Sequence, residues 1–132
     1  MSEPESAFRR WLAKAASDRL NIENNLRAPT VPWDTVCFHA QQAAEKALKA
    51  FLVFHGCTPP RTHDLVAVLA ECVRIDARLD LLETDCRRLT YYAVGTRYPD
   101  DLYEPDEAAG RAMVAASQRV FSEVLTRLPD VP

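Results

Sequence analysis

The sequence predicts an all-α fold, a helical bundle of about five helices. Three observations carry this. Alanine, leucine, arginine and glutamate are common while glycine occurs only three times, a composition that favours helix. Apolar residues recur at helical spacing through five separate segments. No run of alternating β-branched residues is long enough to make a strand.

The first helix follows a frayed start at residues 1–5, with Ser6 as its cap, and runs to about Arg27. Phe8, Trp11, Leu12, Ala15, Ile22 and Leu26 fall on one face. Arg19 falls inside that stripe and Asp18 beside it, and a charge that points inward needs a partner. Two readings stay open. Either the pair is structural, as an ion pair or a snorkelling arginine, or Asp18 holds a basic residue of the next helix in place.

A short loop around Pro29 leads to the element on which the chain is organised, a helix from Pro32 to Gly56. Proline suits a first turn and glycine an end, and the element is roughly 36 Å long at 1.5 Å per residue. Val36, Ala40, Ala43, Ala44, Ala47, Leu48, Phe51 and Phe54 share one stripe with an alanine middle. Small side chains let another helix approach closely. Phe38 and Leu52 lie on a different side, so the helix is buried on two sides and central. His39, Gln42, Lys46 and Lys49 form a third, polar stripe, either a solvated edge or the wall of a site.

After Gly56, Pro59 and Pro60 predict an ordered, extended loop. Thr62 or Asp64 caps a short third helix to about Val73, with Leu65, Val68, Leu69 and Cys72 inward. A fourth helix spans Asp76 to Val94, with Gly95 as its stop. Pro99 and Pro105 break the pattern. Asp106 opens a fifth helix to about Leu128, whose core stripe is Ala109, Met113, Val120, Phe121, Val124 and Leu128. Without repeats or low-complexity stretches, the 132 residues form a single domain.

The net charge of −3 argues against a general polyanion binder. No apolar run reaches the length of a membrane span, and no export signal opens the chain, so no membrane role and a cytoplasmic location are expected. Cys37, Cys57, Cys72 and Cys86 lack zinc-site spacing and are expected to be reduced, mostly buried thiols.

Three blocks together resemble the HEPN family, named for nucleotide binding in higher eukaryotes and prokaryotes. They are Cys37–Ala50 in the central helix, Arg61-Thr62-His63-Asp64-Leu65, and Tyr92 with Arg97-Tyr98-Pro99-Asp100. The resemblance spans nearly the whole chain. It implies an up-and-down bundle like that of nucleotidyltransferase substrate-binding subunits. It also implies a homodimer, a nucleotide ligand, and a partner nucleotidyltransferase, in some relatives as a toxin–antitoxin pair. The ribonuclease members carry an arginine, four to six variable residues, then a histidine. Here Arg97 is followed by no histidine through Glu104, and His39, His55 and His63 all precede it. Tyr103 near the expected position is a poor substitute, because 2′-hydroxyl cleavage needs a base that works near neutral pH. The sequence therefore looks like the nucleotide-binding branch, with no catalytic residue assigned and RNA a less favoured partner.

The candidate ligand-binding residues are His39, Gln42, Lys46, Lys49, Arg61, His63, Arg97, Tyr98 and Tyr103. The cations suit phosphate, Tyr92, Tyr98 or Tyr103 a base, and the imidazoles supply hydrogen bonds. Each also has a plain structural reading. Glu45 and Lys49 have the spacing of a surface helix pair, His63 and Asp64 that of a cap, and Tyr98-Pro99 that of a plug at the bundle end. Asp100, Asp101, Glu104, Asp106 and Glu107 form an acidic patch that prolines interrupt, so neither metal nor cofactor is expected. Two alternatives stand beside the binding module. One is a metal-independent ribonuclease toxin with an atypical site. The other is a non-catalytic dimerisation scaffold that pairs through the alanine face and the last helix.

Overall fold

The chain wraps around one helix. A computed structural model describes residues 3–95 and 105–129. Its helices are α1 (Glu3–Leu26), α2 (Trp33–Phe54), α3 (Leu65–Ile75), α4 (Glu83–Gly95) and α5 (Glu107–Leu125), and a 3-10 segment Ala77–Leu82 precedes α4. There is no strand among the described residues. Both α1 and α5 pack extensively on α2, and α3 and α4 close the remaining side.

Local chemistry sets the ends of α2. Pro32 precedes the first turn, and its carbonyl accepts the Val36 amide at 3.0 Å. At the other end Gly56 has φ 78°. Its amide donates to the Val53 carbonyl at 3.0 Å, and the Cys57 amide to the Leu52 carbonyl at 2.9 Å. This is the left-handed glycine stop that satisfies the last carbonyls of a helix.

The alanine face behaves as its side chains require. Ala40, Ala43, Ala44 and Ala47 are fully buried, and the Ser117 hydroxyl of α5 donates to the Ala40 carbonyl at 2.6 Å. Helix α5 also meets α2 at Gly110, where an added Cβ would fall 2.8 Å from Trp33 Cζ3. Leu52 is buried and Phe38 half-buried, so α2 is enclosed on two sides. The alanine face is thus interior to the bundle, and a dimer interface built on it is ruled out. Any pairing of copies must use other surface.

Several boundaries differ from the periodicity. Helix α1 already begins at Glu3, before Ser6, and α3 continues to Ile75. The expected start of the fourth helix is instead the 3-10 segment. Asp76 ends α3 and accepts the Arg78 amide at 3.0 Å, and Leu79 and Leu82 are both fully buried. Residues three apart eclipse in a 3-10 helix, which puts both leucines on one side. Helix α5 ends at Leu125, and Leu128 packs inward from the turn beyond it. Cys37, Cys72 and Cys86 are buried free thiols, whereas Cys57 is exposed on the loop after Gly56.

Arg19 answers its inward position without an ion pair among the described residues. Its guanidinium lies 4.2 Å from the Phe121 ring centroid, a cation–π contact between α1 and α5.

Candidate functional site

Two buried carboxylates organise the polar side of α2. Asp18 comes from α1 and is 6% exposed; Glu45 comes from α2 and is 3% exposed. Each holds one imidazole and one ammonium. Asp18 takes His39 Nδ1 on Oδ1 at 2.7 Å and Lys46 Nζ on Oδ2 at 2.6 Å. Glu45 takes His63 Nδ1 on Oε1 at 2.9 Å and Lys49 Nζ on Oε2 at 3.2 Å. The open question about Asp18 is thereby answered: it anchors basic residues of α2.

The second half of the cluster fastens a loop. Gln41 Nε2 donates to Glu45 Oε1 at 3.0 Å and to the His63 carbonyl at 3.2 Å. Lys49 Nζ donates to the Thr62 carbonyl at 3.1 Å. Gln42 Nε2 donates to Gln41 Oε1 at 2.7 Å. These bonds lay residues 62–63 against α2. The loop then turns into α3, where Asp64 accepts the Val66 and Ala67 amides as N-cap and Thr90 Oγ1 of α4 accepts the Leu65 amide. The cap is therefore Asp64, not Thr62, and His63 takes no part in capping.

The Glu45–Lys49 pair is not the surface pair its spacing suggests, since the two side chains are 4% and 8% exposed. Two of the three Lys49 N–H bonds are committed within the protein, and the ammonium lies 5.8 Å from the Trp11 ring centroid. Lys49 is placed to hold the loop. Lys46 is different: it has one carboxylate partner and a side chain 21% exposed. Arg61 is exposed and has no ion-pair partner among the described residues.

The imidazoles share a detail of chemistry. An ionised carboxylate only accepts hydrogen bonds, so Nδ1 of His39 and of His63 carries the hydrogen. Nε2 of both rings has no partner among the described residues. A buried carboxylate thus fixes ring orientation twice over.

The structure gathers these residues in two networks along α2, His39 and Lys46 on Asp18, and Gln42, Lys49 and His63 around Gln41 and Glu45, with Arg61 on the loop that the second network holds. Arg97, Tyr98 and Tyr103 lie outside the described residues, as do Asp100, Asp101 and Glu104 of the acidic patch and the side chain of Tyr92. Of that patch, Asp106 caps α5 and Glu107 pairs with Arg111. Among the described residues no group of three acidic, histidine or cysteine side chains is arranged to hold a metal ion.

Sequence reasoning missed Gln41 and the inward role of Glu45. The signal was available: a helix buried on two sides leaves little room for a solvated flank, and Gln41, Glu45 and Lys49 follow one another at four-residue steps.

An all-α bundle organised on a long central helix, with a carboxylate-anchored polar belt on one flank, is the class of protein this is. The family model of the HEPN domain matches residues 8–127, and the chain belongs to that family. No curated protein and no solved structure matches the chain. Among the described residues no helix is long and apolar enough to cross a membrane.

Proposed function

We propose that this HEPN protein is a nucleotide-binding module that works with a partner nucleotidyltransferase. What carries the reading is the fastening of the Arg61–Asp64 loop onto the polar flank of α2 through Glu45, His63 and Lys49. This puts a cation on the loop beside the hydrogen-bonding groups of the helix. Lys46 retains N–H donors beyond its bond to Asp18, and Arg61, without an ion-pair partner among the described residues, has a guanidinium fork suited to phosphate oxygens. The His63 and His39 rings add directed nitrogen atoms, and Gln42 adds an amide. Lys49 supports this shell from behind.

A thermal-shift titration with nucleoside triphosphate tests it. Millimolar nucleotide raises the melting temperature, and Lys46→Ala and Arg61→Ala each weaken the rise. No rise at that concentration refutes the reading. Pairing of copies and a nucleotidyltransferase partner belong to the same proposal. Light scattering at micromolar protein checks the first, and co-purification with the product of a neighbouring nucleotidyltransferase gene checks the second.

One observation favours a second reading, a metal-independent ribonuclease. The sequence after Arg97 offers no histidine, but His39–Asp18 and His63–Glu45 are oriented imidazoles of the kind that take and return protons. RNA cleavage in the presence of a chelator, lost in both His39→Gln and His63→Gln, would support it. Intact RNA after prolonged incubation with the wild-type protein would remove it.

A further inference from the structure

Helices α4 and α5 leave a cleft of about 440 Å³ between them, and among the described residues none of α2 lines it. Arg87, Arg88 and Tyr91 line it from α4, and Ala109, Ala112 and Met113 from α5. The volume lies in the range of roughly 300–1,000 Å³ typical of small-ligand sites, and an apolar lining with a few polar groups is their usual chemistry. The two alanines leave the space open, and Tyr91 stands 72% exposed beside it.

Charge decides what the cleft takes. Arg87 is paired with Glu83 one turn away, while Arg88 has no ion-pair partner among the described residues. Among the described residues no carboxylate lines the cleft. A guanidinium without an ion-pair partner among the described residues, beside an apolar side, selects an anion borne on an apolar body. The fork binds phosphate or carboxylate oxygens, and the side lined by Ala109, Ala112 and Met113 accepts an apolar ring.

We propose that the α4–α5 cleft binds a planar aromatic anion. Two sources share this chemistry, a nucleoside monophosphate and a simple aryl phosphate or carboxylate. The site uses none of the residues in the proposed α2 shell, so it stands or falls separately from it.

Met113 is one of two methionines, with Met1, and its methyl group is a spectroscopic probe of the cleft. The protein is labelled with 13C-methyl methionine and titrated with adenosine monophosphate, phenyl phosphate, benzoate and inorganic phosphate, while the His39 and His63 ring signals are followed in parallel. A saturable shift of Met113 with an aryl anion but not with inorganic phosphate is expected. Arg88→Glu, an exposed change, weakens it about tenfold or more by replacing the charge-assisted contact with repulsion. Ala112→Leu fills the cleft and abolishes it. Should Ala112→Leu fail to fold, Arg88→Glu still decides. Tighter saturation by the nucleotide assigns the first source, and tighter saturation by phenyl phosphate or benzoate assigns the second. No saturable Met113 shift, or one unchanged in Arg88→Glu, overturns the proposal. Movement of the histidine signals alone overturns it too, while leaving nucleotide binding at α2 intact.

Discussion

Glu45 is the residue whose loss reports most directly on the polar belt. In Glu45→Leu, three donors lose their acceptor: His63 Nδ1, Gln41 Nε2 and Lys49 Nζ. The Lys49 side chain is 8% exposed and keeps only the Thr62 carbonyl. Breaking a buried pair from one side costs about 3–5 kcal/mol, because a charge is left behind without its counter-charge. For a domain of this size that lowers the melting temperature by roughly 10–20 °C. Lys49→Met leaves Glu45 with two donors, His63 Nδ1 and Gln41 Nε2, and costs about 2–3 kcal/mol, the worth of a hydrogen bond to a charged group. The double variant Glu45→Leu/Lys49→Met removes both charges. It costs about 1–2 kcal/mol, since an apolar pair of similar size replaces a buried ion pair nearly neutrally and only the His63 and Gln41 bonds stay unmade. The coupling between the two sites is thus about 4–6 kcal/mol of relief. Urea titrations followed by circular dichroism, on all four proteins, give these numbers. Singles that cost under about 1 kcal/mol, or whose costs add to within about 0.5 kcal/mol, refute the account of Lys49 as a buried partner of Glu45.

The clip between α3 and the end of α5 has a pH signature. Hydrogen bonds from the Arg78 side chain, and then from Arg127, hold the Asp76 carboxyl well below the usual carboxylate range. A depressed folded value means stability that is present above the unfolded value, near 4, and is lost as pH falls below it toward the folded value. Asp76→Asn is therefore less stable than wild type at neutral pH, and the two denaturation curves converge as pH drops below about 4; a gap that stays constant with pH contradicts this. Gly110→Ala pushes a methyl group into the Trp33 ring and costs about 1–3 kcal/mol as an overpacked contact; Trp33→Leu in the same chain restores part of it, and equal loss with and without Trp33 counts against the close approach. Burial pushes the thiols of Cys37, Cys72 and Cys86 up, to about 11, about 12 and about 12. A disulfide reagent then modifies one thiol quickly in the native protein, Cys57→Ser removes that phase, and the other three react only on unfolding; more than one fast thiol in the wild type contradicts the buried assignment.

The central helix was legible because its determinants are local. Pro32 and Gly56 bracket it, and an alanine stripe inside a long apolar face has few uses other than close packing. His39, Lys46 and Lys49 were visible as a polar stripe for the same reason. Asp18 was visible as a charge beside the apolar stripe of α1, next to the inward Arg19. Glu45 was misread because the four-residue step to Lys49 has the same meaning on a surface as in a core. What decides between them is the loop that lies over the pair, and that contact joins residues 13 and 18 apart in the chain. The start of α4 was misplaced for a different reason. Leu79 and Leu82 fit both a 3-10 and an α-helical spacing over one turn, and an Asp76 cap suits either.

Burying charge is an inefficient way to hold helices together. The desolvation of Asp18, Glu45 and Lys49 offsets most of what their pairing returns, and an apolar cluster would serve packing at least as well. What the carboxylates add is direction. Asp18 reaches His39 and Lys46 from α1, and Glu45 reaches His63 on the loop from within α2, so two imidazoles from different elements are held by the same nitrogen, and Nε2 of each has no partner among the described residues. A scaffold that only paired helices would have no use for two rings oriented alike. A surface that must present directed nitrogen atoms beside Lys46 and Arg61 would, and this asymmetry weighs for a binding or proton-transferring flank over a bare structural one.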